Sequence, residues 1–373
     1  LLFSRFGQNL LYTPGRGWFI WTGRRWLNDS LGQVYELAKD TIQAISEESD
    51  SESVQKWSNV SKSGQRLREA VLLARSNSAI AINDEQFDSD GWLLNVANGT
   101  LDLRTGVIRE PRREDFITKQ IQIEYEDSEG PTFLKFIKRV LPNQQTRNFV
   151  QRLFGYSITG DVSEQVFPIF YGPGANGKST LNNAILDILG DYAKQAPSGL
   201  FMLKRGGDDH PTALSDLQGT RVMFSFETEE GGKLAESLVK QATGGDRIRA
   251  RRMRQDYFEF TPTHHVFLVT NHLPVIEGTD EGVWRRIRRV PFQVTISDSE
   301  RDLDLPQKLK EEYPFILKWL VAGCTAWQRD GLGEPEEVKR ATREYRSESD
   351  LVGQFIADEC IQHETALALP STL

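Results

Sequence analysis

Between residues 166 and 296 the chain alternates short apolar runs with stretches whose apolar residues recur at helical spacing. Ile169-Phe170-Tyr171 reads as a buried strand, so Pro168 should sit at or before its first residue. Leu181, Ala184, Ile185, Ile188 and Leu189 follow at helical spacing, and Gly190 can end that helix. Val222, Met223, Phe224 and Phe226 make a second apolar strand, and Val266 through Val269 a third. This alternation predicts a three-layer α/β domain.

The flanks carry other patterns. Residues 1–28 hold Trp18, Trp21 and Trp26 in short strand-like pieces with a turn at Thr22-Gly23. A capped helix is expected over 29–45 and another over 64–75, separated in part by the acidic run SEESDSES (46–53), read as a solvated linker. Asn98-Gly99 and Thr105-Gly106 punctuate a hairpin within 92–108. Helical patterns return at 132–158 and 306–347, and DLVGQFIADEC starts a further helix that the chain end truncates. With DSEGP as a breaker, the expected regions are an N-terminal domain (1–130), a helical collar or linker (131–165), the α/β core (166–296) and C-terminal helices (297–373). A length of 373 residues fits two or three domains.

The first strand and helix of the core enclose Gly172-Pro173-Gly174-Ala175-Asn176-Gly177-Lys178-Ser179-Thr180, a full match to GxxxxGK[ST]. The glycines let backbone N–H groups turn inward around phosphate oxygens. Lys178 reaches the β- and γ-phosphates, and the Ser179 hydroxyl helps to hold Mg²⁺. The helix N-terminus adds a favourable dipole. The expected ligands are ATP and Mg²⁺.

Hydrolysis needs an acid at the end of a neighbouring strand. Glu227 ends the second strand and would share the metal with Ser179, and Glu229 lies two residues further on. Asn271 ends the third strand, where a polar side chain can reach the γ-phosphate or the attacking water. DEGVWRRIRRVPF supplies Arg285, Arg286, Arg288 and Arg289. An arginine beside the γ-phosphate stabilises transition-state charge and often comes from an adjacent subunit. KQATGGDRIRARRMRQDYFEFTP (240–262) alternates apolar and charged positions and reads as a β-hairpin with Met253 and Arg254 near its tip. Its Arg249, Arg251, Arg252 and Arg254 suit sequence-independent contact with phosphates.

The bulk numbers exclude more than they identify. The net charge of −8 argues against nucleic acid only if positive charge is spread evenly, and here the arginines are concentrated. Cys324 and Cys360 form neither a disulfide framework nor a zinc motif, and the five histidines lack metal-ligand spacing. The two cysteines make a reducing, cytoplasmic setting the expectation, and no apolar run approaches the ~20 residues of a membrane span.

GPGANGKST, FSFETEE, KQATGGD with its basic hairpin, VTNHLP and WRRIRRVPF occur in the order of the superfamily 3 helicases. The chain most resembles the helicase half of phage and plasmid primase-helicases, a group that includes poxvirus and satellite-phage replication proteins. NVANGTLDLRTG and FGYSITGDVSEQ resemble that family's upstream domain, so the likeness runs from about residue 5 to about 358. The resemblance implies an AAA+-type P-loop NTPase core, preceded by a smaller α+β or helical domain and followed by a helical segment. It implies a hexameric homo-oligomer with ATP bound between subunits and 3′-to-5′ movement on single-stranded or forked DNA.

By motif, Lys178 and Ser179 bind ATP and Mg²⁺, Glu227 serves the second motif, and Asn271 is the polar sensor. Arg286 is the first choice for the trans-acting arginine and Arg285 the second, while the hairpin arginines track DNA. Thr228 separates Glu227 from Glu229 where many members have adjacent acids. Nothing here resembles the metal-binding acids of a primase, so primer synthesis is not expected. The C-terminal stretch resembles the start of a truncated DNA-binding domain. A nucleotide-switched ring that loads onto an origin without unwinding would share every ATP-site residue. A small-molecule kinase would leave the basic hairpin unexplained.

Overall fold

The computed structural model describes residues 2–48, 50–203, 214–227, 230–251, 253, 256–278, 280–350, 353 and 355. The chain divides into two compact units, Leu1–Tyr125 and Glu126–Leu373.

In the first unit, a short helix α1 (Leu2–Phe6) leads into an antiparallel sheet of β1 (Leu10–Thr13), β2 (Gly17–Trp21) and β3 (Trp26–Asn28). The two-residue alternation of a strand sends its side chains to opposite faces. Leu10 and Trp18 therefore pack with Val34, Ala38, Leu67 and Val71, whereas Leu11 and Phe19 pack with Trp26 and Phe87. Val34 and Ala38 lie on helix α2 (Gln33–Glu47), Leu67 and Val71 on α4 (Gly64–Ala74), Phe87 on the segment that follows, and Trp26 on β3. The acidic run is less of a linker than its composition implies. Its first residues end α2 and its last begin a further helix, α3 (Glu52–Ser61). Strands β4 (Leu93–Val96), β5 (Gly99–Asp102) and β6 (Val107–Arg109) extend the expected hairpin to three strands.

The second unit opens with α5 (Pro131–Val140) and α6 (Gln144–Ser157), broken at Pro142, where a helix would lose an amide donor. Asn143 caps α6 by accepting from the amides of Gln145 and Thr146. The core is a parallel sheet of β7 (Phe167–Tyr171), β8 (Ala193–Gln195), β9 (Val222–Glu227), β12 (His265–Thr270) and β13 (Ile287–Pro291). Its order is β13-β7-β12-β9-β8, with helix α7 (Lys178–Leu189) after β7 and the glycine-rich loop, and α8 (Glu236–Thr243) after β9. Strands β10 (Ile248–Arg251) and β11 (Tyr257–Phe260) pair separately as an antiparallel ribbon. The chain then runs through α9 (Glu281–Trp284), α10 (Leu305–Glu311), α11 (Tyr313–Asp330) and α12 (Glu336–Ser349).

Alternation along the parallel strands builds the three layers. Met223, Val266 and Leu268 pack with Leu238 and Val239 of α8 and with Ile248 and Phe260 of the ribbon. Phe170, Phe224 and Phe267 point the other way, where Phe154 of α6 stacks on Phe267 at 5.0 Å and meets Phe170 edge-on at 5.7 Å.

Pro168 corrects one expectation, because it is the second residue of β7 rather than its first. Phe167 N donates to Arg286 O of the β13 side (2.6 Å), which turns the Pro168 nitrogen toward β12. Pairing with β12 begins only at Ile169, so no ladder donor is lost there.

Candidate functional site

The register of the sheet gathers the motif residues along its carboxyl edge. Thr270 lies opposite both Tyr171 and Glu227, so the strands that lead to the glycine loop and to Asn271 end level with Glu227. At the usual spacing between strands, Glu227 Cα is about 10 Å from Tyr171 Cα. In open α/β sheets this edge is where ligands bind.

The loop between β7 and α7 is held from both sides. Gly177 has φ +82°, and a Cβ there would lie 2.4 Å from Val140 Cγ1 of α5. Gly172 passes so close to β13's end that a Cβ would meet Phe292 O at 2.1 Å. Asn176 fixes the turn from within: Nδ2 donates to Phe292 O (3.1 Å) and to Pro173 O. Ile296 N donates to Ala175 O (2.7 Å), adding a strap across the loop. Ala175 takes a left-handed conformation (φ 56°). Two left-handed residues so close together fold the backbone into a concavity, which suits an anion better than a cation. Pro173, Gly174, Ala175 and Ser179 are exposed, so the loop and the Ser179 hydroxyl are accessible.

Lys178 is the buried charge of the site, at 4% exposure. Its Nζ donates to Gly172 O (2.7 Å), Asn271 Oδ1 (3.0 Å) and Asn176 Oδ1 (3.2 Å). All three acceptors are neutral. Burial therefore pushes the ammonium down to about 8 from an ordinary 10.5. Asn271 itself is exposed. The Thr270 hydroxyl forms the turn beneath it, donating to His272 O (2.6 Å) and accepting from His272 N (3.1 Å). Asn271 is singled out by its strand-end position alone, and its bond to Lys178, which spans 93 residues, had no local signal.

The two arginines chosen for a trans role differ sharply. Arg286, the first choice from sequence, is 7% exposed; Nη1 donates to Gly282 O (2.6 Å) and Nη2 to Gln165 Oε1 (3.3 Å). Burial and the neighbouring Arg285 lower its pKa. Arg285, the second choice, is exposed at the end of α9. Arg288 pairs with Glu334 (3.0 Å), and Arg289 lies over the Tyr171 ring at 4.6 Å.

In the ribbon, Ile248 and Ala250 are buried and Arg249 and Arg251 exposed, so alternation puts both guanidinium groups on the outer face. Tyr257 stands between them, with Arg249 4.5 Å and Arg251 5.6 Å from its ring centroid. Met253, at 74% exposure, marks the tip. Arg252, Arg254 and Glu229 lie outside the described residues.

Among the described residues, no group of three or more His, Cys, Asp or Glu side chains could hold a metal ion. Mg²⁺ does not require one, since it commonly takes one or two protein ligands with substrate phosphates. No helix among the described residues is long and apolar enough to cross a membrane.

Fold and site together define a P-loop α/β protein. Residues 1–142 match the family described as D5 N terminal like, and 170–289 match a family of unknown function (DUF5906). The chain is 29% identical over 298 residues to "Putative helicase L207/L206" of Acanthamoeba polyphaga mimivirus, covering 74% of this chain and 31% of that protein. It is 26% identical over 241 residues to "Putative helicase 184R" of Invertebrate iridescent virus 6 (61% and 25% covered). To "Putative primase C962R" of African swine fever virus (isolate Tick/Malawi/Lil 20-1/1983) it is 24% identical over 327 residues (80% and 34% covered). The chain thus spans about a third or less of these relatives' length. A solved structure, the A form apo structure of NrS-1 C terminal region-CTR, shares the fold with a TM-score of 0.50. It is 11% identical, with 76% of this chain and 66% of that chain covered. These matches fit a primase-helicase family.

Proposed function

We propose that this chain is the motor of an ATP-dependent DNA helicase of the superfamily 3 type, working as a hexameric ring on single-stranded and forked DNA with 3′-to-5′ movement. It would serve the DNA replication of a viral or other mobile element, in the host cytoplasm. The observation that carries this reading is the shared edge of β7, β9 and β12, which gathers the glycine loop, Glu227 and Asn271 in a unit that also bears an arginine-faced ribbon.

In this reading the concave loop from Gly172 to Thr180 receives the phosphate chain of ATP. Lys178, held by neutral oxygens, exchanges them for phosphate oxygens and frees Asn271 to orient the attacking water. Ser179 and Glu227 hold Mg²⁺, which when bound supplies charge neutralisation at the β- and γ-phosphates. Arg285 is the arginine that serves the neighbouring subunit, because a trans-acting side chain must leave its own surface. Arg286 shapes the turn that presents it. Arg249 and Arg251 grip DNA phosphates, and Tyr257 offers an aromatic face for a base.

The test is steady-state ATPase with and without single-stranded DNA, with Lys178→Ala alongside. ATP turnover that DNA stimulates and that the variant lacks supports the reading. Turnover indifferent to DNA contradicts it.

A further inference from the structure

Helix α12 lies along β13 and is pinned to it. Arg289 N donates to Thr342 Oγ1 (3.0 Å), and Arg289 Nη1 donates to Ala341 O (3.3 Å). One turn on, Tyr345 is 3% exposed and touches two elements at once. Its ring meets Trp284 edge-on, with centroids 5.3 Å apart at 76°. Its hydroxyl donates to Pro274 O.

Each contact leads directly to a site residue. Trp284 immediately precedes Arg285, and its indole Nε1 donates to Gly278 O (3.1 Å), which fixes the plane of the ring. Arg346 clamps the start of the same helix through Glu281 (2.6 Å). Pro274 lies three residues after Asn271, whose side chain accepts from Lys178. The next residue, Val275, is tied by its N–H to Gly232 O (2.8 Å) and by its carbonyl to Leu234 N (2.9 Å). Val275 is thus anchored immediately after Pro274, which fixes the carbonyl that Tyr345 reaches three residues beyond Asn271.

From this closed run of contacts (Asn271 loop, Pro274, Tyr345, Trp284, Arg285) we infer that Tyr345 is a positioning residue linking two nucleotide sites. Through it, the state of Asn271 in one subunit sets the placement of Arg285, which serves the neighbour. The inference rests on the shared-site reading above. The ring alone would satisfy packing on Trp284. The hydroxyl is what joins that packing to the Asn271 loop.

The test isolates the trans effect. Wild-type chains are mixed with an excess of Lys178→Ala chains, so that most intact ATP sites receive their arginine from a Lys178→Ala neighbour. The same mixture is then made with Lys178→Ala/Tyr345→Phe and with Lys178→Ala/Arg285→Ala, and turnover per wild-type chain is measured against ATP concentration. Tyr345→Phe keeps the ring, and thermal unfolding of the double variant checks that it folds like its parent.

The expected result is a kcat about three- to tenfold lower with the Tyr345→Phe partner, the loss of one hydrogen bond's worth of placement, at an unchanged KM. A hydroxyl that served only the stability of its own chain would leave turnover at an intact site in another chain unchanged. Equal rates with and without Tyr345→Phe, while Arg285→Ala partners lower the rate, overturn the inference and leave the shared site standing. If Arg285→Ala partners also change nothing, the shared-site reading falls and the inference with it.

Discussion

Raising the pH should weaken nucleotide binding in a way set by one buried amine. Among the described residues, Lys178 Nζ donates to three neutral oxygens, and burial holds its pKa at about 8. Those oxygens favour the charged form, but not enough to offset desolvation. A bound phosphate chain adds the missing opposite charge and returns the ammonium to its ordinary range or above. The free site must then take up a proton to bind wherever Lys178 is neutral. With a free-state pKa of about 8, the apparent Kd rises by a factor of roughly 1 + 10^(pH − 8), hardly at all at about pH 7 but about elevenfold at about pH 9. Calorimetry with a non-hydrolysable ATP analogue, in two buffers of different ionisation heat, measures both the affinity and the proton count. Uptake should climb from ~0.1 proton at about pH 7 to ~0.9 at about pH 9. Lys178→Arg should bind more weakly but with a flat profile, because its guanidinium stays charged. A wild-type Kd that is flat from about pH 7.5 to about pH 9.5, without proton uptake, refutes the reasoning.

Three further outcomes follow from the geometry. Gly177→Ala must hold a left-handed residue with its Cβ against Val140, so it should lose about 1–3 kcal/mol of stability in chemical denaturation and most of its nucleotide affinity. Arg285→Ala should leave thermal stability unchanged and abolish ATPase, whereas Arg286→Ala, which removes buried bonds to Gly282 and Gln165, should lower stability by about 2 kcal/mol. The reverse pattern would restore Arg286 as the trans residue. Arg249→Ala/Arg251→Ala should reduce the slope of log affinity for single-stranded DNA against log salt by about 1.5, at ~0.7 per lost phosphate contact. An unchanged slope would make the ribbon a solvated surface.

Much of the candidate site was legible because its signals are local. The glycine loop sits between an apolar strand and an amphipathic helix, and Asn271 closes an uninterrupted apolar run, so neither needed tertiary information. The ribbon was legible for the same reason, since Ile248 and Ala250 alternate with Arg249 and Arg251. What stayed hidden depends on contacts between distant residues. Arg286 and Arg285 are neighbours in a charged run, and it is the long-range bond from Arg286 to Gln165 that tells the buried one from the exposed one. Pro168 fits inside a strand because β12 starts its pairing one residue later. The strap from Phe292 and Ile296 over the loop, and the bridge of Tyr345 between Pro274 and Trp284, join segments with no common pattern. The acidic stretch before α3 misleads for another reason: its polar composition fits a linker as well as it fits the exposed ends of two helices.

In the proposed function, nucleotide energy collected at the sheet edge moves DNA. Strand displacement on a forked DNA with ATP tests it most directly, with the single-stranded tail placed on either strand and Lys178→Ala run beside the wild type. Unwinding is expected from the wild type alone, on forks whose tail permits 3′-to-5′ movement. DNA-stimulated ATPase with no displacement on either fork would contradict it, and would favour a nucleotide-switched ring that loads onto DNA without opening it.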